Sequence, residues 1–310
     1  SSKAGTPAMG GIIFLIGIIA GTLAFVKGSA KYAIVSLIVM LAYGVVGFLD
    51  DFIKVKLKRN LGLKAYQKLI GQFGIALAIS IYAQMNIGTE IFVPFANITF
   101  DMGVFYIPFT MFVVIAVVNS VNLTDGLDGL ASGTAMIVFV SVGLIINGLA
   151  NQLANTDILL SGEYCNLAVM ACAASGACLG FLAFNFKPAK VFMGDTGSLT
   201  IGGIIAVYAI IIHKELLIPI LCGIFLVENL SVILQRLYYK AGKRKGVKQR
   251  LFKRTPIHDH FRTSMSLIEP GCSVVFTKPD KLFHESKITI RFWIVTIVLA
   301  AITIITLKIR

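Results

Sequence analysis

The chain has 310 residues, of which 57% are hydrophobic and only 14% are charged. Ordinary globular domains carry about 25% charged residues, so this composition excludes a set of water-soluble domains and indicates a multi-pass membrane protein. The formal net charge is +13, but the basic residues flank apolar segments and do not form one exposed face with stacking aromatics, so no nucleic-acid partner is expected.

The apolar residues fall into segments that are candidates for membrane-spanning helices. A span needs about 20 mainly apolar residues, and a helix satisfies its own backbone hydrogen bonds in lipid. We therefore predict one all-α polytopic integral membrane domain over residues 1–310, with about nine transmembrane helices and a small outer hairpin at 91–105. The predicted spans are 10–26, 32–49, 70–87, 106–118, 130–149, 167–186, 199–212, 216–237 and 291–307.

Lysine and arginine are concentrated on one side of this predicted topology, above all in a long basic segment that follows the eighth span. By the positive-inside rule that side faces the cytoplasm. The predicted cytoplasmic loops, which would form the active site, are 50–69, 119–129, 187–198 and 238–290. The basic residues left on the other side are Lys27, Lys31, Lys214, Lys308 and Arg310.

A pair of adjacent aspartates follows the second predicted span. Asp50 and Asp51 precede Lys54, and the motif by itself favours an ordinary i,i+4 ion pair between Asp50 and Lys54 at a helix end. Against that interpretation, two carboxylates at a helix C-terminus oppose the helix dipole and repel each other unless a cation or proton intervenes. A divalent ion or phosphate chemistry would explain the pair.

Two further polar segments separate predicted spans. Residues 119–130, NSVNLTDGLDGL, contain two aspartates and two asparagines, which suit Mg²⁺ or the hydroxyls of a sugar or nucleoside and equally a capped turn. Residues 185–198, NFKPAKVFMGDTGS, lead into a helix predicted to begin near Gly197 and Ser198. A helix start favours phosphate, so Asp195 could hold a metal against that phosphate or could simply cap the helix.

The eighth span and the basic segment after it add polar candidates. Glu228 and Gln235 share one helical face. Placing an acidic side chain inside the membrane costs about 2.5–3.5 kcal/mol of insertion free energy, so we expect Glu228 to make a structural hydrogen bond. We expect Gln235, which lies nearer the cytoplasmic end, to form a wall of the site. The His258-Asp259-His260 motif is a weak metal signal, whereas the surrounding bases suit an anionic membrane surface or an anionic lipid substrate.

The alternation of spans sends all these acidic segments to the same predicted membrane face. The sequence therefore predicts a single anionic site there. The residues that converge in this prediction are Asp50, Asp51, Asp125, Asp128, Asp195 and His258.

The order of these motifs resembles the polyprenyl-phosphate N-acetylhexosamine-1-phosphate transferase superfamily. Within it, KAGTPAMGG (3–11) and the lysine that ends DDxxK resemble the phospho-N-acetylmuramoyl-pentapeptide transferase (MraY) branch. The resemblance implies about ten spans, of which we expect the first to be absent from this sequence. It also implies Mg²⁺-dependent transfer of phospho-MurNAc-pentapeptide from UDP-MurNAc-pentapeptide to undecaprenyl phosphate. The products would be lipid I and UMP, formed at the cytoplasmic face of the bacterial cytoplasmic membrane. The sequence does not decide whether the protein forms a homodimer.

The resemblance also implies roles for individual residues. It matches Asp50 and Asp51 to the family's acidic pair and Asp195 to its Mg²⁺-associated aspartate. Within that pair we expect Asp50 to be the base on the lipid phosphate and Asp51 to support substrate or metal. His258 is a catalytic-site residue without an assigned step. The substrate-binding residues it implies are Lys3, Lys54, Lys68, Asn119, Asn122, Asp125, Asp128, Asn185, Phe192, Gly194, Gln235 and His260.

The chain departs from the family pattern at Ala8, where the family has threonine, and at Asp259, where it has histidine; the segment 261–290 does not align. Two alternative functions remain. The nearer is a sister transferase that passes GlcNAc-1-phosphate to the same lipid. The farther is a transporter, whose site would lie near mid-membrane on broken helices.

Overall fold

The computed structural model describes residues 6–56, 62–96 and 98–308, which are mostly helical. Three single turns of 3₁₀ helix, Gly103–Phe105, Glu215–Leu217 and Met265–Leu267, join longer elements. The elements in chain order are α1 Gly11–Phe25, α2 Lys31–Lys56, α3 Ala65–Asn86, β1 Glu90–Val93, β2 Ile98–Asp101, α4 Tyr106–Thr124, α5 Leu130–Leu153, α6 Ile158–Asn185, α7 Gly194–Ile211, α8 Ile218–Leu221, α9 Gly223–Arg244, β3 Gln249–Phe252, α10 Ile257–Arg262, β4 Ser273–Phe276 and α11 Glu285–Lys308.

The predicted all-α, multi-pass architecture is confirmed. In the described part of the chain, 7 helices are long and apolar enough to cross a membrane, and the pair Glu215–Leu221 and Gly223–Arg244, bent by 84°, brings the number to 8. The shorter apolar helix α1 has 15 residues. Each predicted span overlaps one of these helices, with α8 and α9 sharing the eighth, and the count of about nine crossings stays a prediction.

The small hairpin is also present. Strands β1 and β2 pair antiparallel, with Glu90 opposite Asp101 and Val93 opposite Ile98. A second small sheet forms in the basic segment, where β3 and β4 run parallel and Gln249 lies opposite Ser273. Parallel strands need a crossover connection, and here it is the chain that contains α10.

The helices extend beyond the apolar segments into the polar motifs. Helix α2 continues to Lys56, so Asp50 and Asp51 lie within its last two turns. Helix α4 continues to Thr124 and includes Asn119 and Asn122. Helix α7 begins at Gly194, one turn before the predicted start, so Asp195 lies in its first turn. Hydropathy marks where a chain enters lipid, whereas a helix ends where its backbone finds other hydrogen-bond partners.

Helix α7 lies at the centre of the bundle, and every residue from Thr196 to Ile211 is buried. It packs against α2 and α4, while α5 packs against α6. The contact with α2 is close at Gly47, where a Cβ atom would lie 2.2 Å from the backbone oxygen of Asp195. This approach places the acidic end of α2 against the first turn of α7.

Gly47→Ala is expected to destabilise the protein by about 1–3 kcal/mol, because the added methyl group must push α2 away from the start of α7. The measurement is the midpoint of thermal unfolding in detergent. Gly74→Ala on α3 is the matched control, since a Cβ atom at Gly74 meets nothing within 4 Å. Equal midpoints for the two variants would contradict the prediction.

Candidate active site

Three carboxylates from two helices meet at one end of the bundle. Asp50 and Asp51 on α2 and Asp195 on α7 each contribute an oxygen, and these oxygens all lie within 4.8 Å of one another. Asp50 and Asp51 are only 3% and 5% exposed. Buried carboxylates at this spacing repel each other strongly unless cations accompany them.

Two lysines supply that positive charge. The Nζ atom of Lys54 lies 2.5 Å from Asp50 Oδ2 and 3.0 Å from Asp195 Oδ2. Lys68 Nζ, from α3, lies 2.8 Å from the same Asp195 oxygen. The expected i,i+4 pair between Asp50 and Lys54 is therefore present, but Lys54 also joins α2 to α7. Sequence spacing cannot reveal this second contact.

Asp51 has a different task from Asp50. Its Oδ1 atom accepts a hydrogen bond from the backbone N–H of Asp195 (3.1 Å), and its Oδ2 atom accepts from the backbone N–H and the hydroxyl of Thr196 (2.8 and 2.7 Å). Asp51 thus caps the N-terminus of α7 from another helix, which favours a negative charge there. Asp195 does not cap its own helix, and these two N–H groups are not open to a phosphate.

The backbone conformation at the start of α7 explains why residue 194 is a glycine. Gly194 has φ = +73°, a conformation that L side chains rarely adopt. A Cβ atom there would lie 2.5 Å from Asp51 Oδ2. Glycine at this position is therefore required by the capping of α7 by Asp51, and the predicted contact of Gly194 with substrate stays a prediction.

Asn122 completes the surroundings of Asp195. Its Nδ2 atom donates to Asp195 Oδ1 and to the Ser198 hydroxyl, both at 2.8 Å. Lys68 Nζ donates to the Asn122 Oδ1 atom at 3.3 Å. Asp195 is consequently held on one oxygen by two ammonium groups and on the other by an amide.

Asn119 lies about one turn earlier on α4 and makes a helix–helix contact. Its Nδ2 atom donates to the Gln72 Oε1 atom on α3 at 2.7 Å, and Gln72 is fully buried. This hydrogen bond fixes α3 against α4 and so positions Lys68, which lies one turn before Gln72. Asn119 supports the cluster without touching Asp195.

Asp128 and Asn185 connect the two remaining polar segments. Asp128 Oδ2 accepts from the backbone N–H of Ala189 at 3.2 Å. Asn185 Oδ1 accepts from the backbone N–H of Gly129 at 3.1 Å, and its Nδ2 atom donates to the Val191 carbonyl at 2.9 Å. Both side chains are buried. They hold the 125–129 turn against the segment that precedes α7.

Asp125 and Phe192 lie on these two connected segments and are partly buried. The backbone of Phe192 pairs with the N-terminal segment: its N–H donates to the Pro7 carbonyl at 2.9 Å, and its carbonyl accepts from the Gly10 N–H at 2.8 Å. The start of the chain is thereby brought next to the site. Lys3 lies outside the described residues.

His258 forms a buried pair with Glu228. The His258 Nδ1 atom lies 3.0 Å from Glu228 Oε2, and the two side chains are 2% and 0% exposed. On its other edge the imidazole contacts the 125–129 turn, since a Cβ atom on Gly126 would lie 2.3 Å from His258 Nε2. The structural hydrogen bond expected for Glu228 is thus present, and its partner lies on α10.

Gln235 and His260 contact the backbone of the basic segment. Gln235 Oε1 accepts from the N–H groups of Leu251 and Phe252, both at 2.9 Å. His260 Nδ1 accepts from the Lys253 N–H at 3.2 Å, so its Nε2–H donates to the Lys278 carbonyl at 2.7 Å. Burial, together with the Lys253 ammonium, lowers the pKa of His260. The structure does not bring either side chain to Asp195, and their substrate contacts stay predictions.

Asp259, which lies between the two histidines, is held by two arginines. Its carboxylate lies 2.7 Å from Arg262 Nε and 3.1 Å from Arg254 Nε. Arg262 also contacts Glu285 at the start of α11. The Asp259 carboxylate therefore joins the arginines of the basic segment through ion pairs.

Several residues that build the site were not predicted from the sequence. Ser198 lies three residues after Asp195 and therefore on the same helix face, so this spacing could have identified it from the sequence. Gln72 is a single amide within an apolar span, and polar groups inside membranes generally have a partner. Thr196 could be found only from the structure, because its backbone N–H and its hydroxyl donate to Asp51, 145 residues away in sequence.

Fold and site together define a polytopic helical membrane protein with a carboxylate–lysine centre at the ends of four helices. Residues 33–213 match the sequence profile of glycosyl transferase family 4, and residues 3–15 match the phospho-N-acetylmuramoyl-pentapeptide-transferase signature 1. Proteins named phospho-N-acetylmuramoyl-pentapeptide-transferase from Bacteroides fragilis and Bacteroides thetaiotaomicron are each 50% identical, over 100% of this chain and 84% of theirs. The protein of that name from Clostridioides difficile is 43% identical, over 98% of this chain and 84% of its own. The chain belongs to the phospho-N-acetylmuramoyl-pentapeptide-transferase family.

Proposed function

We propose that this protein transfers phospho-MurNAc-pentapeptide from UDP-MurNAc-pentapeptide to undecaprenyl phosphate, giving lipid I and UMP for peptidoglycan synthesis. The observation that supports this most directly is the meeting of Asp50, Asp51 and Asp195 with Lys54 and Lys68. Family membership supports the substrates, because the relatives carry the name of that activity. The acids lie at helix ends, where a bilayer surface would be, which disfavours the transporter alternative.

In the proposed reaction an oxygen of the lipid phosphate attacks the sugar-linked phosphorus of the UDP-sugar. The new P–O bond forms as the bond to the uridine-side phosphate breaks, and UMP leaves with the electron pair. Catalysis of such transfers rests mainly on positioning and on neutralisation of charge. Lys54 and Lys68 can supply that charge, because their ammonium groups already converge on one Asp195 oxygen.

Asp50 is the proposed base for the lipid phosphate. Its Oδ1 atom accepts from the Leu63 N–H at 2.8 Å, and its Oδ2 atom contacts Lys54, so the carboxyl group is fixed between α2 and the segment that leads to α3. Asn122 holds Asp195 in place through the 2.8 Å amide contact. Asp51 acts indirectly, by holding the start of α7 in place.

The donor set fits Mg²⁺, which prefers hard carboxylate oxygens. Asp195 would hold the ion, with Asp50 beside it, while both oxygens of Asp51 already serve the α7 N-terminus. When bound, Mg²⁺ would act as a Lewis acid on the diphosphate. We place the site at the cytoplasmic face of the bacterial membrane, because most lysines and arginines fall on that side of the predicted topology.

The test is UMP release by the purified protein with UDP-MurNAc-pentapeptide or UDP-GlcNAc, each with and without undecaprenyl phosphate. We expect UMP only from UDP-MurNAc-pentapeptide with the lipid present, and its loss when EDTA removes divalent ions. If UMP forms from UDP-GlcNAc and not from UDP-MurNAc-pentapeptide, with the lipid present, the result would favour the sister transferase. Absence of UMP from both donors in the presence of Mg²⁺ and lipid would overturn the proposal.

A further inference from the structure

A basic cavity of about 690 Å³ lies near the C-terminal end of α9. One wall is the last turns of α9, and the other is formed by β3 and the residues that lead to α10. Gln235, Tyr239 and Thr255 line it together with five cationic side chains. These are Arg236, Lys240, Lys243, Arg250 and Arg254.

Most of this positive charge has no acidic partner. Arg254 pairs with Asp259 at 3.1 Å, but in residues 6–56, 62–96 and 98–308 no carboxylate lies within ion-pair distance of the other four cations. The remaining residues of the chain contain no aspartate or glutamate. Like charges gathered around one cavity disfavour each other unless an anion enters.

The cavity adjoins an exposed apolar stripe on α9. Ile233 and Leu237 are 45% and 61% exposed, and they lie one helical turn before Arg236 and Lys240, on adjoining parts of the helix surface. Exposed apolar residues on a membrane helix face lipid chains. The stripe comprises Val227, Leu230, Ile233, Leu234 and Leu237.

An amphipathic aromatic side chain, Tyr239, lies beside the cavity at the charged end of α9. Tyr239 is 37% exposed and lines the cavity, and tyrosine is enriched where a membrane protein meets the headgroup region. The basic cavity therefore opens where the lipid-facing surface of α9 gives way to its charged end. A ligand that fits both parts carries an anion at one end and hydrocarbon at the other.

We infer that this cavity binds the phosphate of an anionic membrane lipid, whose acyl chains lie along the exposed apolar stripe of α9. Guanidinium and ammonium groups form short, charge-assisted hydrogen bonds with phosphate oxygens. No residue of the Asp195 cluster lines the cavity, whereas Gln235, a predicted wall of the site, does. The lipid inferred here is a bound component of the membrane beside the site and is not the acceptor of the proposed reaction.

The test measures how much phosphatidylglycerol stays bound to the purified protein, by native mass spectrometry, with phosphatidylcholine as the neutral comparison. Arg236→Gln/Lys240→Gln/Lys243→Gln removes cavity charges. Arg244→Gln/Lys245→Gln/Lys281→Gln removes the same charges from exposed positions that do not line the cavity. We expect retention to fall at least about tenfold in the first variant and less than about twofold in the second. Equal losses in the two variants, or equal retention of the two lipids, would overturn the inference.

A thermal-shift measurement separates a lipid from a free anion. Phosphatidylglycerol vesicles should raise the unfolding midpoint of the parent and of the control variant, whereas inorganic phosphate at the same phosphate concentration should not. An equal rise with inorganic phosphate would assign the cavity to a free anion. Should the triple variant not fold, Lys240→Gln replaces it, with about a fivefold expected loss of retention; unchanged retention would overturn the inference. Neither measurement uses a transferase substrate.

Discussion

Asp195→Asn is expected to reduce UMP release by about a hundredfold or more while the protein remains folded. The asparagine has the size of aspartate, so the packing of α7 is unchanged. It lacks the charge that holds Lys54 at 3.0 Å and Lys68 at 2.8 Å, and it is a much poorer ligand for a divalent ion. The measurement is initial rate of UMP release, with size-exclusion elution and circular dichroism as checks of folding.

Asp101→Asn is the matched control for this substitution. Asp101 lies on strand β2 of the small hairpin and is exposed, far in the fold from the α7 start. Its carboxylate accepts from the Thr89 hydroxyl and the Gly103 N–H, contacts confined to the hairpin region, so the substitution is expected to leave the rate within about twofold. Asp195→Asn turnover within tenfold of the parent rate would refute the central role of this carboxylate.

Asp51→Asn is expected to lower both activity and stability, in contrast to Asp50→Asn. The Asp51 oxygens accept from two backbone N–H groups and one hydroxyl at the start of α7. An asparagine must turn an NH₂ group toward one of these donors, which leaves a buried donor unsatisfied at a cost of about 1–3 kcal/mol. Since Asp195 lies in that first turn, the rate of UMP release falls as well.

Asp50→Asn is the informative partner variant, because an amide oxygen can still accept from the Leu63 N–H group. We expect it to reduce UMP release strongly with a smaller change in the unfolding midpoint than Asp51→Asn. Unfolding midpoints and initial rates of both variants, measured in the same detergent, give the comparison. Identical midpoints for the two variants would contradict the capping role assigned to Asp51.

The lipid inference and the transferase proposal concern different parts of the molecule and can be judged separately. The proposed reaction depends on Asp50, Asp195 and Lys68, whereas the basic cavity is formed by α9, β3 and the start of the α10 segment. Loss of lipid retention with normal UMP release would leave the reaction intact. A cavity variant that retains its lipid but slows transfer would show instead that the cavity residues act in the proposed reaction.

Much of the architecture could be predicted because hydropathy is a local property. Segments of apolar residues had to become helices in lipid, and every predicted span overlaps a helix, as the hairpin at 91–105 overlaps β1 and β2. Helix ends were less predictable. Helix α7 begins at Gly194 and not near Gly197 as predicted, because its start depends on a cap that Asp51 provides from α2.

The sequence by itself determined the membrane class, the set of acidic and basic motifs and the family resemblance, since each is contained in residue types and their order. Only the tertiary structure decided which member of the aspartate pair caps α7, that Lys54 joins two helices, and that Glu228 pairs with His258. The physical reason is that a buried polar group must be satisfied by whatever group lies within about 3 Å. That neighbour is set by helix packing between segments far apart in the chain.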